Sequence, residues 1–263
     1  MDFANTLILA AIAGFTIFLG LPVARISNPP RSLQAFLNSI ATGILVFLLY
    51  DIIAKASEPI EGALTSAQSG DAENFIFLLI VFAIGLGVGM LSLVLFENRL
   101  LGRATEQTQD TGASPYRLAI MIAVGIGLHN FSEGLAIGQA SRSGAISLAT
   151  ILIIGFGLHN MTEGFGIAAP LTLATRPSWR FLALVGLIGG GPTFVGSILG
   201  YSVESEPVFV FCLALAAGSI FYVIGELLNV GRRFRLRELA MAGVFVGFLA
   251  GYGTDLVLTW AGA

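Results

Sequence analysis

Eight apolar stretches, each long enough to cross a bilayer as a helix, fill almost the whole chain and leave only short polar connectors between them. A spanning helix needs about 20 mainly apolar residues. The stretches fall at 3–24, 33–56, 75–97, 116–140, 145–170, 179–202, 207–230 and 238–260. Pro29-Pro30 breaks the first connector, and Pro59, Pro115, Pro177 and Pro207 mark others. The fold expected is an all-α membrane protein with eight transmembrane helices, a single domain over 1–263. Composition agrees: 56% of residues are hydrophobic and only 11% charged, against about 25% charged in soluble domains. A soluble domain of this length has too little core to hide so much apolar surface. The N-terminus has no basic region and no evident cleavage site, so it reads as a first span and not a removable signal peptide.

Positive charge orients such a bundle. The connectors after spans 1, 3, 5 and 7 hold Arg25, Arg31, Arg99, Arg103, Arg117, Arg176, Arg180, Arg232, Arg233, Arg235 and Arg237. The opposite side holds only Lys55 and Arg142, with Asp2, Glu58, Glu61, Asp71, Glu73, Glu204 and Glu206 among its acids. The arginine-rich side is expected to be cytoplasmic, with both termini facing away from the cytoplasm. No basic patch or aromatic platform points to nucleic acid. The single cysteine, Cys212, excludes an internal disulfide and a multi-cysteine metal site; it reads as a small packed hydrophobe. Glycines in GLGVG (85–89) and GLIGGGPTFVG (186–196) suit close helix packing. Pro192 removes a backbone donor in mid-span 6 and is expected to kink it.

Chemistry concentrates in one repeated segment. GIGLHNFSEGLAIG occupies 125–138 and GFGLHNMTEGFGIA occupies 155–168, and together they use both histidines of the chain. Positions i and i+4 share a helix face, so His129 projects with Glu133, and His159 with Glu163. Asn130 and Asn160 stand about 100° round from their histidines. Consecutive spans run antiparallel, which sets His129 level with Glu163, and Glu133 with His159. The rise from i to i+4 is only about 6 Å, so two imidazoles and two carboxylates can meet in one small volume. An ionisable group at mid-bilayer costs roughly 2.5–3.5 kcal/mol on insertion scales, and a divalent cation offsets that cost. Imidazole with carboxylate suits zinc, iron, manganese, cobalt or nickel and is too nitrogen-rich for calcium or magnesium. The plainer reading is a His–Glu latch between helices; a proton relay uses the same residue types. Three further intramembrane carboxylates are pathway candidates. Asp51 and Asp255, near the outer ends of spans 2 and 8, could guide cations inward or simply reach water. Glu226, near the inner end of span 7, could line an exit or contact Arg232-Arg233.

These residues resemble the ZIP (Zrt/Irt-like) family of divalent-metal transporters. HNFSEG and HNMTEG are similar to the HNxPEG pair of its bacterial GufA-like branch. The resemblance implies inverted repeats of helices 1–3 and 6–8 around helices 4 and 5, and transport of zinc, with iron, manganese or cobalt as alternatives, toward the cytoplasm. It implies a primary site from His129, Glu133, His159 and Glu163, with Asn130 and Asn160 contributing to a neighbouring second position. The metal would be substrate, not cofactor; the protein would be no enzyme, and it would sit as a multi-pass protein in the cell (plasma or inner) membrane. A homodimer is compatible with the sequence. Three departures stand out: Ser132 and Thr162 replace the motif prolines, Gly191 stands where the family often has a carboxylate before the helix 6 proline, and the 98–115 connector lacks histidine. From another class, a membrane-embedded metal hydrolase would use three ligands and an open position to activate water, but no HExxH is present.

Overall fold

The computed structural model describes residues 2–26, 29–68, 72–96, 115–142, 146–173, 176–203 and 205–261. Among these, the side chains at 96, 146–152, 155, 158, 159, 162, 258, 259 and 261 are not described. Asp71, Glu97, Arg99, Arg103, Glu204 and the 98–114 part of the long connector lie outside the described residues.

The described residues are helical almost throughout: α1 (Phe3–Phe15), α2 (Arg31–Ala67), α3 (Glu73–Phe96), α4 (Pro115–Arg142), α5 (Ile146–Ala168), α6 (Trp179–Ser202), α7 (Glu206–Phe234) and α8 (Arg237–Ala261). Seven segments among the described residues are long and apolar enough to cross a membrane; α5, many of whose side chains are not described, is not among them. The protein is thus an integral, multi-pass membrane protein.

Two spans differ from expectation. The first is not one α-helix: it changes at Thr16 into two 3-10 turns, Thr16–Leu19 and Leu21–Arg25. Three local features favour the change. Pro22 has no N–H to donate, Gly20 lets α5 approach so closely that a Cβ would lie 2.4 Å from the Met161 carbonyl oxygen, and the Thr16 hydroxyl bonds the carbonyls of Ala13 and Gly157. The second span does not stop near Pro59. Helix α2 runs 37 residues, through that proline, to Ala67. An internal proline removes one hydrogen bond, here the one the Lys55 carbonyl would accept. Beyond it, Thr65 and Ser66 bond back to the carbonyls of Glu61 and Gly62. Helix α6 likewise continues through Pro192.

Of the seven segments long and apolar enough to cross a membrane, helix α4 is the most enclosed. It packs most extensively on α6, and glycine permits this: a Cβ on Gly134 would lie 2.1 Å from the Thr193 carbonyl oxygen, and one on Gly196 2.0 Å from that of Phe131. Small residues are what let membrane helices pack backbone to backbone. Helices α3 and α8 lie outermost, with exposed Ile76, Ile80, Leu91, Met241 and Phe245 suited to lipid. The arginine-rich ends gather together. Arg25 reaches the Pro177 carbonyl and lies 4.5 Å over the Trp179 ring, and Arg31 donates to the Arg233 carbonyl at 3.1 Å. At the other end Arg142 donates to the Ser202 carbonyl at 2.8 Å.

Candidate metal centre

Helix α4 supplies His129, Asn130 and Glu133, and α5 supplies Asn160 and Glu163; all five are buried. His129 Nε2 lies 3.2 Å from Glu133 Oε1, one turn on, and 3.9 Å from Glu163 Oε1 across the helix pair. The levelling expected from antiparallel packing is therefore present for His129 and Glu163. Its mirror image, Glu133 with His159, cannot be traced, because the His159 side chain lies outside the described residues.

Asn130 fixes the orientation of Glu163. Its Nδ2 donates to Glu163 Oε2 at 2.9 Å and to the Gly189 carbonyl on α6 at 3.0 Å. With Oε2 held, Oε1 is the atom turned to His129. Asn160 does not reach the His129 cluster through its nitrogen; Nδ2 donates to the Ala13 carbonyl at 3.1 Å. Each motif asparagine thus ties its helix to a neighbouring backbone, α6 for one and α1 for the other. Ser132, in place of a motif proline, bonds the His129 carbonyl at 2.6 Å. Such back-bonding also tends to bend a helix, so the position keeps a local perturbation without proline.

Glu133 Oε2, Asn130 Oδ1 and Asn160 Oδ1 are buried with no hydrogen-bond donor among the described residues. An unmet buried acceptor costs about 1–3 kcal/mol, more when charged. Of these, Glu133 Oε2 belongs to the carboxylate whose other oxygen faces His129, so an acceptor that a cation would satisfy sits at the His129 cluster. Among the described residues no group of three or more His, Cys, Asp or Glu is arranged to hold a metal ion; the donors of the cluster contact one another instead.

The pathway candidates separate. Asp51 lies 2.7 Å from Lys55 Nζ as an i, i+4 ion pair. The charge of Lys55 acts on Glu133 and Asp255 as well, so Asp51 and Asp255 belong to one charged cluster near the site. Glu226 instead lies in the field of Arg117, at the start of α4, while Arg232 turns to the Asn229 side chain. Gly191 is on the same face of α6 as Leu187 and Val195, which are 52% and 49% exposed, and a Cβ there would meet nothing within 4 Å. A carboxylate at this position would leave by the outer face of α6, away from Gly189 and Asn130. Lys55 is the residue that motif reasoning passes over; its signal is its being the chain's one lysine, four residues after Asp51.

The profile of the family described as "ZIP Zinc transporter" matches residues 97–252. The chain is 30% identical over 255 residues to the "Zinc transporter ZupT" of Chlorobaculum parvum, covering 92% of each chain. It is 35% identical over 246 residues to the protein of the same name from Xanthomonas axonopodis pv. citri, covering 89% of this chain and 88% of the relative.

Proposed function

We propose, from the premise that this chain belongs to the ZIP zinc transporter family, that it carries divalent transition-metal ions, zinc first among them, across a membrane through the cluster of His129, Glu133 and Glu163. Iron, manganese and cobalt suit the same ligands. The observation that carries the reading is the convergence of an imidazole and two carboxylates from α4 and α5 inside the bundle. The relatives are named as zinc transporters, which speaks for transport and against both a hydrolase and a metal-free relay.

His159 completes the donor set in this proposal, and Asn130 and Asn160 flank it. Entry is from the arginine-poor end past Asp51 and Asp255; exit is toward the arginine-rich end past Glu226. Positive charge inside makes that exit cytoplasmic, places both termini outside, and suits a bacterial inner membrane. The reciprocal packing of α3 on α7 and of α2 on α8 supports two inverted three-helix units around α4 and α5, an arrangement common where a transport site lies at mid-membrane. The ion sheds its water as His129, Glu133 and Glu163 give up their contacts with one another and turn to it. Asn130 keeps one oxygen of Glu163 engaged throughout, so the carboxylate turns only its other oxygen to the ion. Release follows when the two ends alternate access. Pairing of two copies is compatible with the exposed apolar faces.

Reconstitution into liposomes loaded with a zinc-sensitive dye tests this. Saturable zinc influx, cut about a hundredfold or more by His159→Ala or Glu163→Ala, is expected; loss of a group that merely supports a ligand costs about 10–100-fold, and these are ligands in the proposal. Zinc binding with turnover of a lipid or peptide and no flux would favour the hydrolase, and proton flux indifferent to chelators would favour the relay.

A further inference from the structure

Apart from the α-amino group, the chain's only primary amine is a half-buried side chain, 37% exposed, at the edge of the site. Lys55 is its single lysine, and it projects from α2 to a point where four helices meet. On α2 itself, Asp51 Oδ2 is 2.7 Å from Nζ. From α5, the Phe156 ring faces the ammonium at 5.9 Å, in the range where a cation is attracted to the ring. From α4 and α8, Glu133 and Asp255 feel its charge. All these groups lie toward the arginine-poor ends of their helices, on the side from which an ion would enter.

We infer that Lys55 is a tethered counter-cation of the metal site, a positioning residue whose ammonium stands in the approach and opposes the entering divalent ion. The inference rests on the transport reading above. The effect is electrostatic. Without metal, Glu133 has one oxygen on His129 and the other with no donor among the described residues, and buried negative charge needs a partner. An ammonium on a four-carbon stem, leashed by Asp51, supplies part of that compensation and can swing aside. When a divalent ion arrives, two positive charges share one small volume and repel. The lysine therefore weakens metal affinity and favours release, and it raises the threshold for monovalent and weakly ligated ions. A purely structural Asp51–Lys55 helix pair would do none of this.

The test uses full-length protein and zinc alone. Equilibrium zinc affinity is measured in detergent, and KM and Vmax of zinc influx in proteoliposomes, for wild type, Lys55→Met and Lys55→Arg. Removal of one charge acting across several ångströms at a protein's effective dielectric should tighten zinc Kd and lower KM by about tenfold. Lys55→Arg, which keeps the charge, should stay within about twofold of wild type on the same reasoning. Vmax of the methionine variant should fall as release slows. If the methionine variant does not fold, Lys55→Gln gives the same readout. An unchanged or weakened zinc Kd in the neutral variants, with wild type still transporting, overturns this inference alone. A wild type that neither binds nor moves zinc removes the transport reading and this inference with it.

Discussion

Asn130 makes two hydrogen bonds from one amide nitrogen, to Glu163 on α5 and to the Gly189 carbonyl on α6. A single side chain thereby ties three helices together at the site. Asn130→Ala should cost about 1–3 kcal/mol, because it removes two buried hydrogen bonds, one of them to a carboxylate. The expected outcome is a melting temperature several degrees below wild type in detergent; an unchanged melt would mean that neither bond matters to the fold. At this scale the sequence was informative where spacing alone decides. The i, i+4 interval put His129 with Glu133, and the 30-residue repeat on antiparallel spans put Glu163 opposite His129. It was silent where the partner is a backbone atom of a distant helix. Neither the Asn130 bond to Gly189 nor the Asn160 bond to Ala13 has a sequence signal, since each depends on how closely the helices approach.

Among elements, α4 and α6 form the tightest pair, and their approach is set by glycines on both partners. A branched side chain at Gly134 or Gly196 would have to displace a carbonyl only 2.1 or 2.0 Å from its Cβ. Gly134→Val and Gly196→Val should therefore give little monodisperse protein on size exclusion. Gly62→Ala, where a Cβ meets nothing within 4 Å, should express normally and gain up to about 1 kcal/mol, as helical glycine gives way to alanine. Equal behaviour of all three would contradict the packing account. The number and order of helices were readable from apolar runs and connectors, because the bilayer demands about 20 apolar residues whatever the tertiary structure; seven of the eight are long and apolar enough to span among the described residues. The ends of spans were less so. Pro59 looks like a stop, yet a helix can lose one hydrogen bond and continue, as α2 does to Ala67. The 3-10 ending of the first span was hidden for the opposite reason: its residues are apolar enough to pass as α-helix, and contacts with α5 decide their winding.

At the scale of the whole molecule, two charge distributions divide the labour. Arginines collect at one end of the bundle, where Arg25, Arg31 and Arg180 flank the helix termini. The other end carries most of the acids, and between the ends lies a short ladder of Asp51, Lys55, Asp255, Glu133, His129 and Glu163. On the proposed transport function, the arginine bias sets the orientation in the membrane and the acids lead a cation from solvent to a buried nitrogen–oxygen site. The ladder uses the one lysine and a histidine of a chain that has two. The claim that metal occupies this cluster is tested most directly by X-ray absorption at the zinc edge of the purified, zinc-loaded protein. The expected spectrum has a first shell of nitrogen and oxygen only, with imidazole scattering that weakens in His129→Ala and a carboxylate contribution that weakens in Glu163→Gln. A sulfur ligand, which only Cys212 or a methionine could supply, or a spectrum unchanged in both variants, would contradict it.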